Sequence, residues 1–198
     1  VNDPYMRSMS NPNNGYPPQP HTYPNDPSIS NNYYWQGITG NPIPGPTGND
    51  MDGVHINSGV QNKWFWLLSQ GGGGLNDLGN TYTVSGIGIN DAAKIAYHNL
   101  TTHMTLTSNY WDAYQGSLYS ADTLYGNPSA EYTAVQEAWY AVGIGNSPNN
   151  YCSGTTNVTA SSGTITDGSG TANYVNNSDC KWKIAPPGAN QIGLTFTY

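Results

Sequence analysis

Gly53-Val54-His55-Ile56-Asn57-Ser58-Gly59-Val60-Gln61-Asn62-Lys63 and the Trp64-Phe65-Trp66-Leu67-Leu68 run behind it mark the point where the chain changes texture. Ser58 followed three residues later by Gln61 is a capping-box pattern, which starts a helix by satisfying its orphan N–H groups. Val60, Trp64, Leu67 and Leu68 then share one face at a period of about 3.6 residues, the mark of an amphipathic helix. The glycine run 71–74 stops it. Upstream, residues 1–52 are dense in Pro, Asn, Gly and Tyr, and prolines at positions 12, 17, 18, 20, 24, 27, 42, 44 and 46 forbid a long helix there. Tyr16, Tyr23, Tyr33, Tyr34 and Trp35 are the side chains able to pin this arm onto a core.

Downstream, three more helices are expected. Asn90 caps one that turns Ala92, Ile95, Ala96, Leu100 and Met104 inward. Ser108 or Asn109 opens the next, with Leu118, Ala121 and Leu124 inside and Gly126 as its stop. Ser129 caps the last, where Tyr132, Val135, Trp139 and Val142 form a stripe. From Tyr82 to Ile89 the chain reads as a short extended segment or tight loop. Residues 146–150 form a linker. Beyond it, Thr164-Ile165-Thr166, Tyr174-Val175, Lys181-Trp182-Lys183-Ile184 and Ile192-Gly193-Leu194-Thr195-Phe196 alternate between turn signals, the pattern of an antiparallel sandwich. The sequence thus reads as a mainly α lobe over residues 1–145, then a partial antiparallel β-sandwich over 151–198 that stops in mid-strand.

Composition narrows the function. Charged residues make up 9% of the 198, against roughly 25% in an average soluble protein. Solubility therefore rests on Asn, Ser, Thr and Tyr, which suits a secreted, extracellular protein. The net charge of −7 argues against nucleic acid as a partner, because such binding rests on clustered cations. No apolar run approaches the ~20 residues of a membrane span. Cys152 and Cys180 are too far apart for a CxxC motif. They form either one structural disulfide, with a contribution of roughly 3 kcal/mol, or two free thiols, and the secreted composition favours the first.

Few residues can carry chemistry. His55 stands just ahead of the first helix with Asp50 five residues upstream, a spacing that lets a carboxylate orient an imidazole. The same histidine also fits a plain capping or packing role. Arg7 is the chain's only arginine, suited to bidentate recognition of a carbonyl or carboxylate, or simply a surface residue. His21, His98 and His103 make no metal-ligand spacing, and no histidine is followed by Glu, so HExxH is absent and a self-contained zinc hydrolase site is missing. Asp50 and Asp52 are paired loop carboxylates of the kind that binds calcium.

At Arg7-Ser8-Met9-Ser10-Asn11-Pro12 and the GVHINSGVQNK block the sequence resembles the thermolysin-like zinc metallopeptidases. Gly86-Ile87-Gly88, Ala93-Lys94-Ile95-Ala96-Tyr97, Leu124-Tyr125-Gly126 and Ala138-Trp139-Tyr140-Ala141-Val142-Gly143 follow in the family's order, so the resemblance covers roughly residues 1–145. It implies the helical C-terminal lobe of a secreted endopeptidase. It also implies roles by position. His55 donates to the oxyanion of the tetrahedral intermediate, and Asp50 orients it. Arg7 binds the substrate carbonyl, and Met6 lines the pocket for the first residue after the scissile bond. Where the family pattern has Asp-Asn-Gly-Gly, this chain has Asp50-Met51-Asp52-Gly53, which makes Asp52 a competing partner for His55. The zinc ligands and the general-base glutamate belong to the family's preceding segment. Zinc is therefore a cofactor of the complete enzyme, the N-terminal half of the catalytic domain is a partner alongside the peptide or protein substrate, and the chain alone is expected to be inactive. Calcium is a further candidate cofactor, although Pro4 stands where the family has an aspartate near the arginine motif. The tail, from Cys152 through Cys180-Lys181-Trp182-Lys183-Ile184 to Leu194-Thr195-Phe196, is similar to the first strands of a CUB domain and implies a Cys152–Cys180 bond. The alternative is a non-catalytic structural, filament-forming or binding protein built from the same segment.

Overall fold

The computed structural model describes residues 7–26, 34–45, 48–148, 155–165 and 181–196. The chain divides into two units, Val1–Pro148 and Asn149–Tyr198. The first holds a 3₁₀ turn at Pro12–Asn14, then α1 (Asp50–Asn57), α2 (Gly59–Gln70), β1 (Gly72–Leu75), β2 (Thr81–Val84), α3 (Ile89–Thr102), α4 (Tyr110–Tyr125) and α5 (Ala130–Ala141).

α2 buries Val60, Trp64, Leu67 and Leu68 as its stripe requires. Its start differs from the capping-box expectation. An N-cap needs extended dihedrals, whereas Ser58 is already helical at φ −59°, ψ −13° and makes no side-chain cap bond. Its Oγ donates instead to the His55 carbonyl at 2.8 Å. At the other end Gly71, with φ 75°, stops the helix, and the rest of the glycine run continues as β1, antiparallel to β2. The returning loop then closes the helix: Ile87 and Gly88 donate to the carbonyls of Leu68 and Ser69 at 2.9 and 3.0 Å, two of the acceptors a helix C-terminus leaves open. Only glycine fits at position 86, where a Cβ would lie 2.4 Å from the Gly71 nitrogen.

α3 starts after Gly88 rather than at Asn90, and it buries Ala92, Ile95 and Asn99. Leu100, expected inside, is 64% exposed, because polar Asn99 occupies the inner face and donates to the Ala113 carbonyl at 2.9 Å. α4 begins with a complete capping box. Asn109 accepts from the backbone of Trp111 and Asp112, and Asp112 accepts from the Asn109 N–H. Leu118 and Ala121 point inward, while Leu124 is exposed on the outer face. α5 is capped by Ser129, which accepts from the Tyr132 N–H at 3.0 Å, and it buries Val135 and Trp139.

The core is aromatic at its centre. Trp64 stacks on Trp139 with centroids 4.8 Å apart, and Trp139 Nε1 donates to Ser117 Oγ at 2.7 Å. Two of the five proposed pins hold the N-terminal arm. Trp35 is fully buried and meets Tyr23 edge-on at 5.1 Å, while the Tyr23 N–H donates to the Val142 carbonyl. Tyr16 and Tyr34 are exposed, and Tyr33 lies outside the described residues.

In the second unit, β3 (Thr155–Val158) pairs with β4 (Lys181–Ile184) in parallel, where the alternation was read as antiparallel. Residues 159–180 separate the two strands, long enough for the crossover that parallel pairing needs. Trp182 and Ile184 take the half-buried positions of an alternating strand. Residues 164–165 and 192–196 are not in strands. Thr166, Tyr174, Val175, Cys152 and Cys180 lie outside the described residues.

Candidate functional site

The site is built on a left-handed turn. Asp50, Met51, Asp52 and Gly53 have φ of 54°, 52°, 63° and 77° in succession. Each non-glycine residue in that conformation costs roughly 1–2 kcal/mol, so the turn persists only because its surroundings over-determine it. Asn49 supplies much of that restraint. Its carbonyl accepts from the Gly53 N–H at 3.0 Å, its Oδ1 from the N–H groups of Asp52 and Ile43, and its Nδ2 donates to Asp52 Oδ1 at 2.7 Å. Asn57, buried, closes the other side: it accepts from the Gln36 N–H and donates to the carbonyls of Gln36 and Asp52.

The turn delivers Asp50 to His55. Asp50 Oδ1 lies 2.5 Å from His55 Nδ1, and Oδ2 accepts from the His55 backbone N–H at 3.0 Å. An ionised carboxylate can only accept, so Nδ1 carries the proton and the second ring nitrogen faces outward on a side chain 72% exposed. Burial by itself raises the Asp50 pKa. Hydrogen bonds from the His55 ring and backbone, together with its Coulomb attraction, outweigh that and leave the carboxyl below its usual range.

Asp52 does not compete for the histidine. Its Oδ1 accepts from Thr39 Oγ1 at 2.7 Å, from the Thr39 N–H and from Asn49, and the Thr39 hydroxyl bond is the main cause of its lowered pKa. Arg7 reaches the back of the same unit. Its Nη1 donates to the His55 carbonyl at 2.8 Å and to Ser58 Oγ at 2.5 Å, with a longer contact to Gln19 at 3.4 Å. Arg7, Ser58, His55 and Asp50 thus form one connected set, with Nη2 and Nε of Arg7 making no further bonds among the described residues.

Met6 lies outside the described residues. His21 lies away from this set, beside Asp77 at 3.4 Å; burial lowers its pKa, an effect Asp77 opposes. Glu137 accepts from the Ser85 N–H at 2.7 Å. Among the described residues no three His, Cys, Asp or Glu side chains are placed to hold one metal ion. Sequence reasoning missed Ser58 as the bridge between Arg7 and His55, and Asn49, Asn57 and Thr39 as restraints. Asn57 and Ser58 sit inside the GVHINSG block, but their spacing says nothing of what they bind.

Comparison with known proteins adds an independent finding. The family model described as thermolysin metallopeptidase, alpha-helical domain, matches residues 1–144, and a CUB-domain model matches residues 152–198. The chain is 41% identical over 95 residues to a bacillolysin of Brevibacillus brevis, covering 48% of this chain and 17% of that protein. It is 40% identical over 95 residues to a thermolysin of Bacillus caldolyticus, covering 48% and 16%. It is 30% identical over 153 residues to the transglutaminase-activating metalloprotease of Streptomyces mobaraensis, covering 73% and 18%. The chain therefore spans less than a fifth of the length of these relatives.

Proposed function

Since the chain belongs to the thermolysin metallopeptidase family through its α-helical domain, we propose that residues 1–145 form the helical lobe of a secreted, zinc-dependent endopeptidase, followed by a linker at 146–150 and a CUB-like module over 151–198. Zinc would be held by residues of another segment and would supply an activated water for peptide hydrolysis. This chain supplies the groups that receive the resulting charge. The observation that carries the reading is the Asp50–His55 clamp: a carboxylate fixes one ring nitrogen at 2.5 Å while the ring stands 72% exposed.

With two protons on the ring, Nδ1–H stays on Asp50 and Nε2–H donates to the oxyanion. That interaction is stronger in the transition state than in the ground state, which is what accelerates a reaction. Arg7 holds the His55 carbonyl with one arm of its guanidinium, and its other nitrogens bind the substrate carbonyl. Met6 lines the pocket for the residue after the scissile bond. The exposed apolar side chains of Met51 and Val54, with Ile38 and Ile43 on the neighbouring loop, form the surface on which the zinc-binding half packs. Cys152 and Cys180 are bonded to one another.

The test compares the complete polypeptide with the 198-residue chain. The complete protein is expected to cleave casein and to stop when zinc is chelated, while the chain alone leaves casein intact. Cleavage by the chain alone, or none by a zinc-loaded complete protein, overturns the proposal. Thiol labelling of the denatured, unreduced chain should find no free thiol.

A further inference from the structure

A histidine pair near the end of α3 takes no part in the site above. His98 lies in that helix and His103 follows its last residue, with ring centroids 5.6 Å apart and planes tilted by 56°. Ser120 of α4 donates its hydroxyl proton to the Gly116 carbonyl at 2.8 Å. A hydroxyl has one proton to give, so its oxygen accepts from His98 Nδ1–H at 3.0 Å. This bond fixes the His98 tautomer and leaves the Nε2 lone pair available. Metal-binding histidines are oriented in the same way, by a hydrogen bond from the ring nitrogen that does not touch the metal.

His103 adds the second half. Its Nε2 is buried and has no hydrogen-bond partner, as is Asn99 Oδ1. Both side chains crowd the small space over Gly116, where a Cβ would lie 2.2 Å from Asn99 Oδ1 and 2.8 Å from His103 Cβ. Buried polar atoms without partners are rare in native proteins and point to a missing water or ion. Two imidazoles on one ion, with metal–nitrogen bonds of about 2.0–2.1 Å, leave their ring centroids roughly 5–6 Å apart, which matches the observed spacing.

We propose that His98 and His103 bind one borderline transition-metal ion of the zinc, nickel or copper class, with solvent completing its coordination. Imidazole pairs select these ions over calcium and magnesium, which take oxygen ligands. Exposed Tyr119, whose ring centroid is 5.9 Å from that of His103, flanks the pair. The inference stands apart from the peptidase reading, because it uses none of Arg7, Asp50 or His55.

The experiment is calorimetric titration of the metal-stripped 198-residue chain with zinc and with nickel chloride. His21→Gln and His55→Gln are built into the starting chain to remove the other two histidines. Saturable one-to-one binding is expected, with affinity reduced at least about tenfold in His98→Gln and in His103→Gln, and about tenfold in Ser120→Ala. In nitrogen-resolved imidazole spectra the Nε2 signals of His98 and His103 should move together on adding zinc. Absence of saturable binding, binding indifferent to both histidine variants, or movement of only one ring overturns the proposal. Should His103→Gln fail to fold, half-buried His98 at the helix surface decides the matter.

Discussion

At His55 a single ring is asked to do two things, and the two nitrogens divide them. Nδ1 is committed to Asp50 at 2.5 Å, and the proposed function assigns the other nitrogen to the developing oxyanion. Removing such a donor typically lowers kcat by roughly 10²–10³, or about 2.7–4 kcal/mol. In the complete enzyme His55→Ala should therefore lose about that much with zinc content unchanged; an unaltered kcat sinks the oxyanion role. Asp50 acts through the ring, so Asp50→Ala and the double variant should lose far less than the sum of the two single effects. Full additivity would break the pair into independent residues. Arg7→Ala should raise KM as well as lower kcat, because in the proposed role its guanidinium binds the substrate carbonyl while it also holds the His55 carbonyl.

Acid should act on the same residue. The Asp50 carboxyl has a folded pKa below its usual value, so it stabilises the fold fully above the unfolded value of about 3.9 and ceases to do so as pH falls through the lowered one. The stability gap between the native chain and Asp50→Asn should thus be constant above pH ~5 and close as the pH drops below ~4. A gap that persists at the lowest pH at which both chains remain folded would assign the effect of the substitution to packing.

At the scale of elements, what was legible had a local cause. Asn109 and Ser129 start their helices because their side-chain oxygens find backbone N–H groups within three residues, and the Val60–Trp64–Leu67–Leu68 stripe is a property of one helix. Ser58 failed as a cap because the chain enters α2 already helical, guided by the left-handed turn at 50–53 and by Asn49 and Asn57. The Asn57–Gln36 bonds join residues 21 positions apart, and the Asn49 bonds depend on a left-handed backbone; no period reveals either. Leu100 was misplaced for a similar reason: tertiary packing gave the inner face to Asn99. The Asp–His spacing survived in the sequence since it lies within one segment, while the Arg7–Ser58 link spans the arm and was not legible.

The turn also makes a prediction. Gly53 has φ +77°, and a Cβ there would stand 2.7 Å from both Asn57 Nδ2 and Gln36 Cβ. Gly53→Ala combines backbone strain of order 1–3 kcal/mol with displacement of the two groups that brace the turn. Thermal unfolding should register a drop of about 2–4 °C for each kcal/mol lost. Activity of the complete enzyme should fall as well, because the turn carries Asp50. A melting point within a degree of the parent would show that the turn relaxes without resistance.

Across the whole molecule, the described aromatic core lies in the first of the two units. Every buried residue of the core cluster lies between Trp35 and Ile144, and the stacked Trp64–Trp139 pair sits among them. Those residues all belong to the first of the two units. Among the described apolar residues of the second unit, Ile192, Leu194 and Phe196 are exposed, and Val158, Ile165, Trp182 and Ile184 are only half-buried. A chain ending at Pro148 should therefore keep the far-ultraviolet signature of α2–α5 and melt cooperatively within about 2–4 °C of the parent, the shift that one kcal/mol produces at this size. Tryptophan fluorescence offers a second readout, since Trp64 and Trp139 are both buried and should stay blue-shifted until the same transition. A much larger drop in melting temperature, or a red-shifted spectrum before heating, would mean that the helical lobe draws its stability from residues 149–198 and that the two units do not fold independently.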